Sequence, residues 1–322
     1  MLELYFFNVG HGDSIAIKFP NNEWGIIDCN RNINHKEPNV LTFLKSKNVK
    51  HLNFLCITHK HEDHFKGVDV LVDYFKDNID TLILPNKTIS GKYTRNRLIP
   101  LKKAIATIIV PNKGKKLKCA DICSSFIIDE VSVQILSPDD EISNECFSKF
   151  LTNSEEEVLN KESVVIYFEF AGKKILLTGD VTADVWDKIL HSDAEIKADI
   201  IKISHHGSKE NNPYNILKLI TKPNSYAIIS SDGNIKYKAL PSRDLIAFLQ
   251  DECKINVLTT YDINQYQKDE KPKNIENLKE NSIINFVSKS LTKDSQIYSG
   301  YIKITIDKQG NITSKIYPNL EI

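Results

Sequence analysis

The chain has 322 residues, 41% hydrophobic and 26% charged, which is enough for one large domain or two ordinary ones. Lysine plus arginine equals aspartate plus glutamate at 42 each, which excludes a broad basic footprint for nucleic acid and leaves room only for a local patch. No stretch approaches the roughly 18 apolar residues needed to span a bilayer, and Met1-Leu2-Glu3-Leu4-Tyr5-Phe6-Phe7 lacks the basic start of a secretory leader, so a cytoplasmic protein without membrane contact is expected.

Three short β-rich runs open the chain, Leu4 to Val9, Ser14 to Phe19 and Trp24 to Asp28, separated by Gly10-His11-Gly12-Asp13 and Pro20-Asn21-Asn22. Asn39 to Lys47 reads as a helix after Pro38, with Val40, Phe43 and Leu44 on one face. Leu52 to Thr58 is an apolar strand, Val68 to Phe75 a helix and Thr81 to Leu84 a buried strand. Arg97 to Thr107 reads as a helix and Val131 to Leu136 as a strand, while Asp139 to Glu162 is polar and acidic, a loop with a short helix. Beyond it come a hairpin (Val164 to Phe170, Lys174 to Thr178), a helix at Ala183 to Leu190 and a strand at Ala198 to Ser204. Strands at Tyr226 to Ser230 and Ile255 to Thr260 flank a helix at Arg243 to Gln250, and Tyr301 to Ile306 with Asn311 to Ile316 closes as a hairpin. Strand and helix alternate as in an α/β layered fold. The charged, apolar-poor stretch around 265–282 reads as an exposed insertion in a single domain spanning 1–322.

Six cysteines (Cys29, Cys56, Cys119, Cys123, Cys146 and Cys253) show no paired CxxC spacing; several sit in apolar runs and read as reduced, buried thiols. The chemistry concentrates elsewhere. Thr58-His59-Lys60-His61-Glu62-Asp63-His64 places three imidazoles and a carboxylate within six positions at a strand end, where alternate side chains converge. Imidazole with carboxylate suits a borderline divalent ion such as zinc or manganese. A solvated charged loop is the bland alternative, and four ligand types compressed at one strand end argue against it.

The H-x-H-x-D-H pattern resembles the signature of the metallo-β-lactamase superfamily, and its closer resemblance is to the branch containing the hydrolase domain of the DNA-uptake protein ComEC. The resemblance runs through Asn8-Val9-Gly10-His11-Gly12-Asp13-Ser14, Asp28 at the third strand end, Asn160 with Ser163, Leu176-Leu177-Thr178-Gly179-Asp180 and Ser204-His205-His206-Gly207-Ser208. It implies a four-layer αββα sandwich with the site at one edge of the sheets, and a metal-dependent hydrolase, a phosphodiesterase or nuclease using a hydroxide activated by two metals. Zinc is favoured and manganese is the alternative. His59, His61 and Asp180 would hold one ion; Asp63, His64, His205 and the shared Asp180 the other. Asp28 would orient the metal-binding loop.

Two departures from the family pattern stand out. No histidine lies between His64 and His191, so Asn160 or a water takes the place of the usual third imidazole, and Tyr237-Lys238-Ala239-Leu240-Pro241 lacks the histidine of a Y-G-H-P element. His205 is preferred to His206 as ligand because it lies nearer the strand end; His206 is then a general acid or phosphate contact, or a bystander. Asp63 doubles as the group that orients or deprotonates water. His11 either lines the site or caps its turn, and Asp13 is expected to bond the backbone amides of that turn. Ser208 and Lys238 are further candidates for substrate contact, and Lys87, Lys92, Arg95 and Arg97 with Tyr93 form a basic loop that is a solvated face or a phosphate contact. Nucleic acid or a nucleotide is the expected substrate, with a protein partner in the case of DNA delivered by another subunit. The competing readings are hydrolysis of a carboxylic ester, thioester or lactam, and a degenerate metal-binding module in a larger complex.

Overall fold

The computed structural model describes residues 1–31, 36–85, 99–109, 116–120, 124–144, 156–192, 196–231, 240–260, 285–286 and 300–320. Two eight-stranded mixed sheets carry the architecture. The first contains β1 (Leu2–Phe7), β2 (Ser14–Lys18), β3 (Trp24–Cys29), β4 (Leu52–Cys56), β5 (Ile79–Leu84) and β6 (Lys116–Cys119) side by side in that order. The second contains β7 (Ser125–Ile128), β8 (Val131–Ser137), β9 (Val165–Phe170), β10 (Lys173–Leu177), β11 (Ala198–Lys202), β12 (Thr221–Ile229), β13 (Asn256–Thr259) and β14 (Asn285–Phe286). The closing hairpin, β15 (Tyr301–Ile306) and β16 (Ile312–Tyr317), returns to the first sheet, where β15 pairs antiparallel with β1.

Alternation decides the layering. Along β1, Leu2, Leu4 and Phe6 enter an apolar cluster shared with Ile166, Phe168, Ile175 and Ile200 of the second sheet. Tyr5 and Phe7 point the other way, onto Phe43 and Leu44 of α1 (Asn39–Ser46) and into the layer completed by α2 (Glu62–Phe65), α3 (Val68–Phe75) and α4 (Ile99–Ile109). The second sheet repeats the device: Leu176, Ile201 and Ile229 face Trp186 and Ile189 of α6 (Ala183–Ser192), Leu217 of α7 (Tyr214–Ile220) and Leu245 of α8 (Arg243–Ala247). Because both faces of these strands are covered, they read as near-continuous apolar runs. The result is the αββα sandwich that the resemblance implies. No helix among the described residues is long and apolar enough to cross a membrane.

Most expected elements fall where the pattern puts them, with ends shifted by a few residues, and the acidic stretch holds a helical segment at 140–144 as well as α5 (Glu156–Lys161). β6 and β7 were not expected. The insertion around 265–282, Lys238, and the basic loop with Lys87, Lys92, Arg95 and Arg97 lie outside the described residues. Cys29, Cys56 and Cys253 are free and buried, as the apolar run around Cys56 predicts for that thiol.

The topology places the site. Strands β3 to β6 run parallel, as do β10 to β13, and loops leaving the carboxyl ends of parallel strands are where such sheets present ligating groups. Asp28 is the penultimate residue of β3, the histidine segment follows β4, Asp180 follows β10, and His205 and His206 follow β11.

Candidate metal centre

The segment after β4 is anchored before it ligates anything. Asp28 adopts a left-handed backbone (φ 56°), a conformation aspartate tolerates better than most residues. Its buried carboxylate accepts from Thr58 N (2.8 Å), Thr58 Oγ1 (2.7 Å) and His64 Nδ1 (2.6 Å). A carboxylate only accepts, so His64 carries its proton on Nδ1 and directs Nε2 into the site. Thr58 has given its one hydroxyl proton to Asp28, so its contact with His59 Nδ1 (3.1 Å) is donated by the imidazole. One carboxylate thus sets the orientation of two histidines.

Around this anchor the groups converge. His64 Nε2 lies 3.3 Å from Asp180 Oδ2 and 3.8 Å from Asp63 Oδ2; His59 Nε2 lies 3.9 Å from Asp180 Oδ2 and 3.1 Å from His61 Nδ1. His206 Nε2 stands 3.4 Å from Asp180 Oδ2 and 3.3 Å from Asp63 Oδ2, and His11 Nε2 is 3.4 Å from Asp63 Oδ2. Neither His64 Nε2 nor His206 Nε2 has a hydrogen-bond partner, although both are buried. Buried polar atoms are ordinarily paired, and unpaired imidazole nitrogens facing a carboxylate suit a metal-ligand set. The separations agree: bonds of about 2.0–2.1 Å to a tetrahedral zinc put neighbouring ligands about 3.3–3.4 Å apart. The donor set fits a divalent metal. His59, His64 and Asp180 form one group able to hold an ion, and His11, Asp63 and His206 another.

The charges follow from this crowding. Burial alone would push Asp180 and Asp63 up, but His206, His64 and Lys202 hold Asp180 well below the usual carboxylate range, and His64 with His206 does the same for Asp63. Burial and the neighbouring His64 push His59 well below an ordinary histidine, and burial also lowers His61. Against its burial, His64 is raised by Asp180, Asp28 and Asp63, and His206 by Asp180 and Asp63.

The structure reverses the order of the histidine pair. His205 and His206 both take left-handed backbone (φ 46° and 53°) ahead of Gly207 (φ 81°), and this double turn swings the second ring inward. His206 is buried with Nδ1 3.0 Å from Ser230 O, whereas His205 is half-buried with Nδ1 2.9 Å from Asn211 Oδ1. The expectation that His205 faces the carboxylates is therefore corrected in favour of His206. Asp13 is corrected too: its side chain does not bond the amides of its turn but forms an ion pair with Lys202 and approaches His64 Nδ1 at 3.7 Å. Ser208 bonds within its own loop, to Glu210 at 2.7 Å. Asn160 is buried, and its Oδ1 has no partner. His11 lines the cluster at its exposed side, its ring centroid 4.3 Å from that of His206. His51 is an exposed partner of Asp80, as expected of a surface histidine.

Two participants escaped the sequence reading. Lys202 ends β11 with its ammonium buried beside Asp180, and Asn211 donates toward Val181 O (3.3 Å), tying the Asp180 turn to the histidine turn. A lysine inside the otherwise apolar Ile200-Ile201-Lys202-Ile203 was the available signal.

No family model matches the chain. It is 24% identical over 273 residues to ComE operon protein 3 of Bacillus subtilis, a match that covers 80% of this chain and 32% of that protein; the chain thus spans about a third of the relative's length. Among solved structures it is similar to zinc-bound PqqB from Methylobacterium extorquens (TM-score 0.47, 10% identity, 79% of this chain and 97% of that one). The metallo-β-lactamase fold protein YhfI from Bacillus subtilis (0.42, 10%, 81% and 86%) and the short form of human tRNase Z (0.42, 14%, 82% and 94%) are also similar.

Proposed function

We propose that this chain is a metal-dependent phosphodiesterase acting on nucleic acid or a nucleotide, with two divalent ions, zinc in preference to manganese, seated between the carboxyl ends of the two sheets. His59, His61 and Asp180 would hold one ion, with the unpartnered carbonyl of Asn160 as a further donor; Asp63, His64, His206 and the shared Asp180 would hold the other. When bound, such a pair of ions acidifies a water and stabilises the charge that develops on a phosphoryl oxygen. The protein's own part is orientation. Asp28 and Thr58 fix the rings of His64 and His59, and Ser230 O takes the Nδ1 proton of His206, which leaves its Nε2 lone pair directed inward. That role replaces the general-acid assignment for His206, whose buried ring has no open face. Asp63 differs from the other acids of the site in being partly open to solvent. Its depressed carboxyl stays ionised at neutral pH and is placed to accept a hydrogen bond from the attacking water. His11 beside it, exposed at the rim, is placed to meet substrate.

The convergence of His59, Asp63, His64, Asp180 and His206 around two unpaired buried nitrogens carries the hydrolase reading. The phosphodiester part rests on the sequence resemblance to the ComEC branch, and the neutral net charge favours a nucleotide, or DNA delivered by another subunit. The test is to strip the purified chain with chelator, reload it with zinc or manganese, and compare a chromogenic phosphodiester with a chromogenic carboxylic ester. Phosphodiester turnover that follows metal content and disappears in Asp180→Ala is expected. Turnover of the carboxylic ester alone would overturn the substrate class, and less than about one bound metal per chain, with no turnover, would overturn the function.

A further inference from the structure

Strand β11 reads Ala198-Asp199-Ile200-Ile201-Lys202, and all five residues are buried. A lysine in that position loses its hydration and most of its rotamer freedom, costs that are tolerable only if the ammonium is fully partnered. It is. The group has three N–H bonds and meets three acceptors: Gly179 O at 2.9 Å, Asp180 Oδ1 at 3.5 Å and Asp13 Oδ2. The partners come from both sheets, Asp13 from the turn before β2 and Asp180 from the turn after β10.

Asp13, Asp28 and His64 form a third buried group whose ligand atoms lie within metal-holding distance of one another. Two of its oxygens are already engaged, Asp13 Oδ2 by Lys202 and Asp28 Oδ2 by His64 Nδ1, while Asp13 Oδ1 has no partner. Where a third ion could have been held, the protein supplies a cation of its own.

We propose that Lys202 is a positioning residue of the metal centre: its ammonium holds Oδ1 of Asp180 so that Oδ2 turns toward His59, His64 and His206. The assignment rests on the proposed function, because it presumes that these side chains ligate a divalent ion. Asp180 is the one carboxylate shared by both ions in that scheme, so freedom in its torsion would weaken both. An ammonium suits the task better than another ion, because it is covalently fixed and does not exchange with solvent.

The experiment is a zinc titration of the metal-free full chain against a chromogenic chelator, with metal counted by elemental analysis, for the wild type, Lys202→Met, Lys202→Gln and Asp13→Asn. Lys202→Met removes the donor and the charge; Lys202→Gln keeps a donor without the charge. Asp13→Asn breaks the same ion pair from the far side and leaves the bond to Asp180. The expected order is a loss of about 10–100-fold in zinc affinity for Met, a smaller loss for Gln, and near wild-type affinity for Asn despite a comparable drop in thermal stability. Wild-type affinity in folded Lys202→Met, or equal losses in Lys202→Met and Asp13→Asn, would overturn the positioning role, the latter marking a merely structural ion pair. If Lys202→Met does not fold, Lys202→Gln decides by the same comparison with Asp13→Asn. Failure of the wild type itself to bind zinc would instead overturn the function on which the inference rests.

Discussion

Asp28→Asn isolates orientation from ligation, because Asp28 bonds His64 directly and His59 only through Thr58, and it binds no metal in the proposed scheme. The amide keeps the shape of the side chain, and its Oδ1 goes on accepting from Thr58 N, now at 2.8 Å. Its NH2 then occupies the place of Oδ2, which today receives protons from Thr58 Oγ1 and His64 Nδ1 at 2.7 and 2.6 Å. Donor would face donor. His64 escapes by moving its proton to Nε2, and the Thr58 hydroxyl escapes by turning to donate to His59 Nδ1, which sends that proton to Nε2 as well. Both lone pairs needed for the metal are lost together. Orienting partners of metal-bound histidines are worth about 10–100-fold in affinity, or about 1.4–2.8 kcal/mol at about 1.4 kcal/mol per decade. The fold loses one or two charge-assisted bonds, about 1–3 kcal/mol, partly offset because burial pushes the Asp28 carboxyl upward and so disfavours its charge in the folded state. Zinc competition on the metal-free protein, paired with urea unfolding, reads the two effects separately. A folded Asp28→Asn protein that binds zinc as tightly as the wild type would refute the orientation of His64 by Asp28 and of His59 through Thr58.

The other predictions concern ligand order, backbone and pH. His206→Ala should lose about one zinc per chain by elemental analysis while His205→Ala keeps the wild-type content; the opposite result would restore the order expected from sequence. Gly12 has φ 111°, and a Cβ there would collide with the carbonyl of Asp63 and the amide of Asn30, so Gly12→Ala should cost about 3–5 kcal/mol in urea unfolding and displace the metal loop; unchanged unfolding would contradict the close approach. Away from the site, burial raises the Glu3 carboxyl, but bonds to Lys303 and Tyr5 with the charge of Lys18 bring it below its ordinary value. A lowered folded pKa means that this contribution is present above the unfolded carboxylate value of about 4.3 and is lost as pH falls through the folded value. Glu3→Gln should therefore lower the unfolding midpoint at pH 7 and converge with the wild type in acid; a gap that widens in acid would be the wrong sign.

How much of this was readable in the residues depends on how local the cause was. Strands β1 to β5 announce themselves because both faces are covered, and the hairpins because their strands are bounded by Gly- and Asn-containing turns. The short β6 and β7 carry Lys-Leu-Lys-Cys and Ser-Phe-Ile-Ile, too little pattern to separate from loop, and gain their hydrogen bonds only from strands laid down beside them. The H-x-H-x-D-H segment was legible because its spacing alone brings the side chains to one strand end. His206 was misjudged because distance from a strand end predicts orientation only for ordinary backbone, and two successive left-handed residues invert it. Lys202 was passed over for a different reason: a lysine near a strand end reads as solvated until its carboxylate partners, 189 and 22 positions away, are known to be there.

The pairing of β1 with β15, Leu2 to Ile306 through Phe7 to Tyr301, has a consequence for biosynthesis. On the ribosome, residues 2–7 are made long before residues 301–306, so one edge of β1 stays open while the intervening strands emerge. An uncovered strand edge beside a greasy surface invites the wrong neighbour, and contacts this distant in sequence form slowly. Clipping the closing hairpin should therefore yield aggregates even though no residue of the metal site has been removed, and supplying that hairpin as a separate peptide during refolding should recover soluble material.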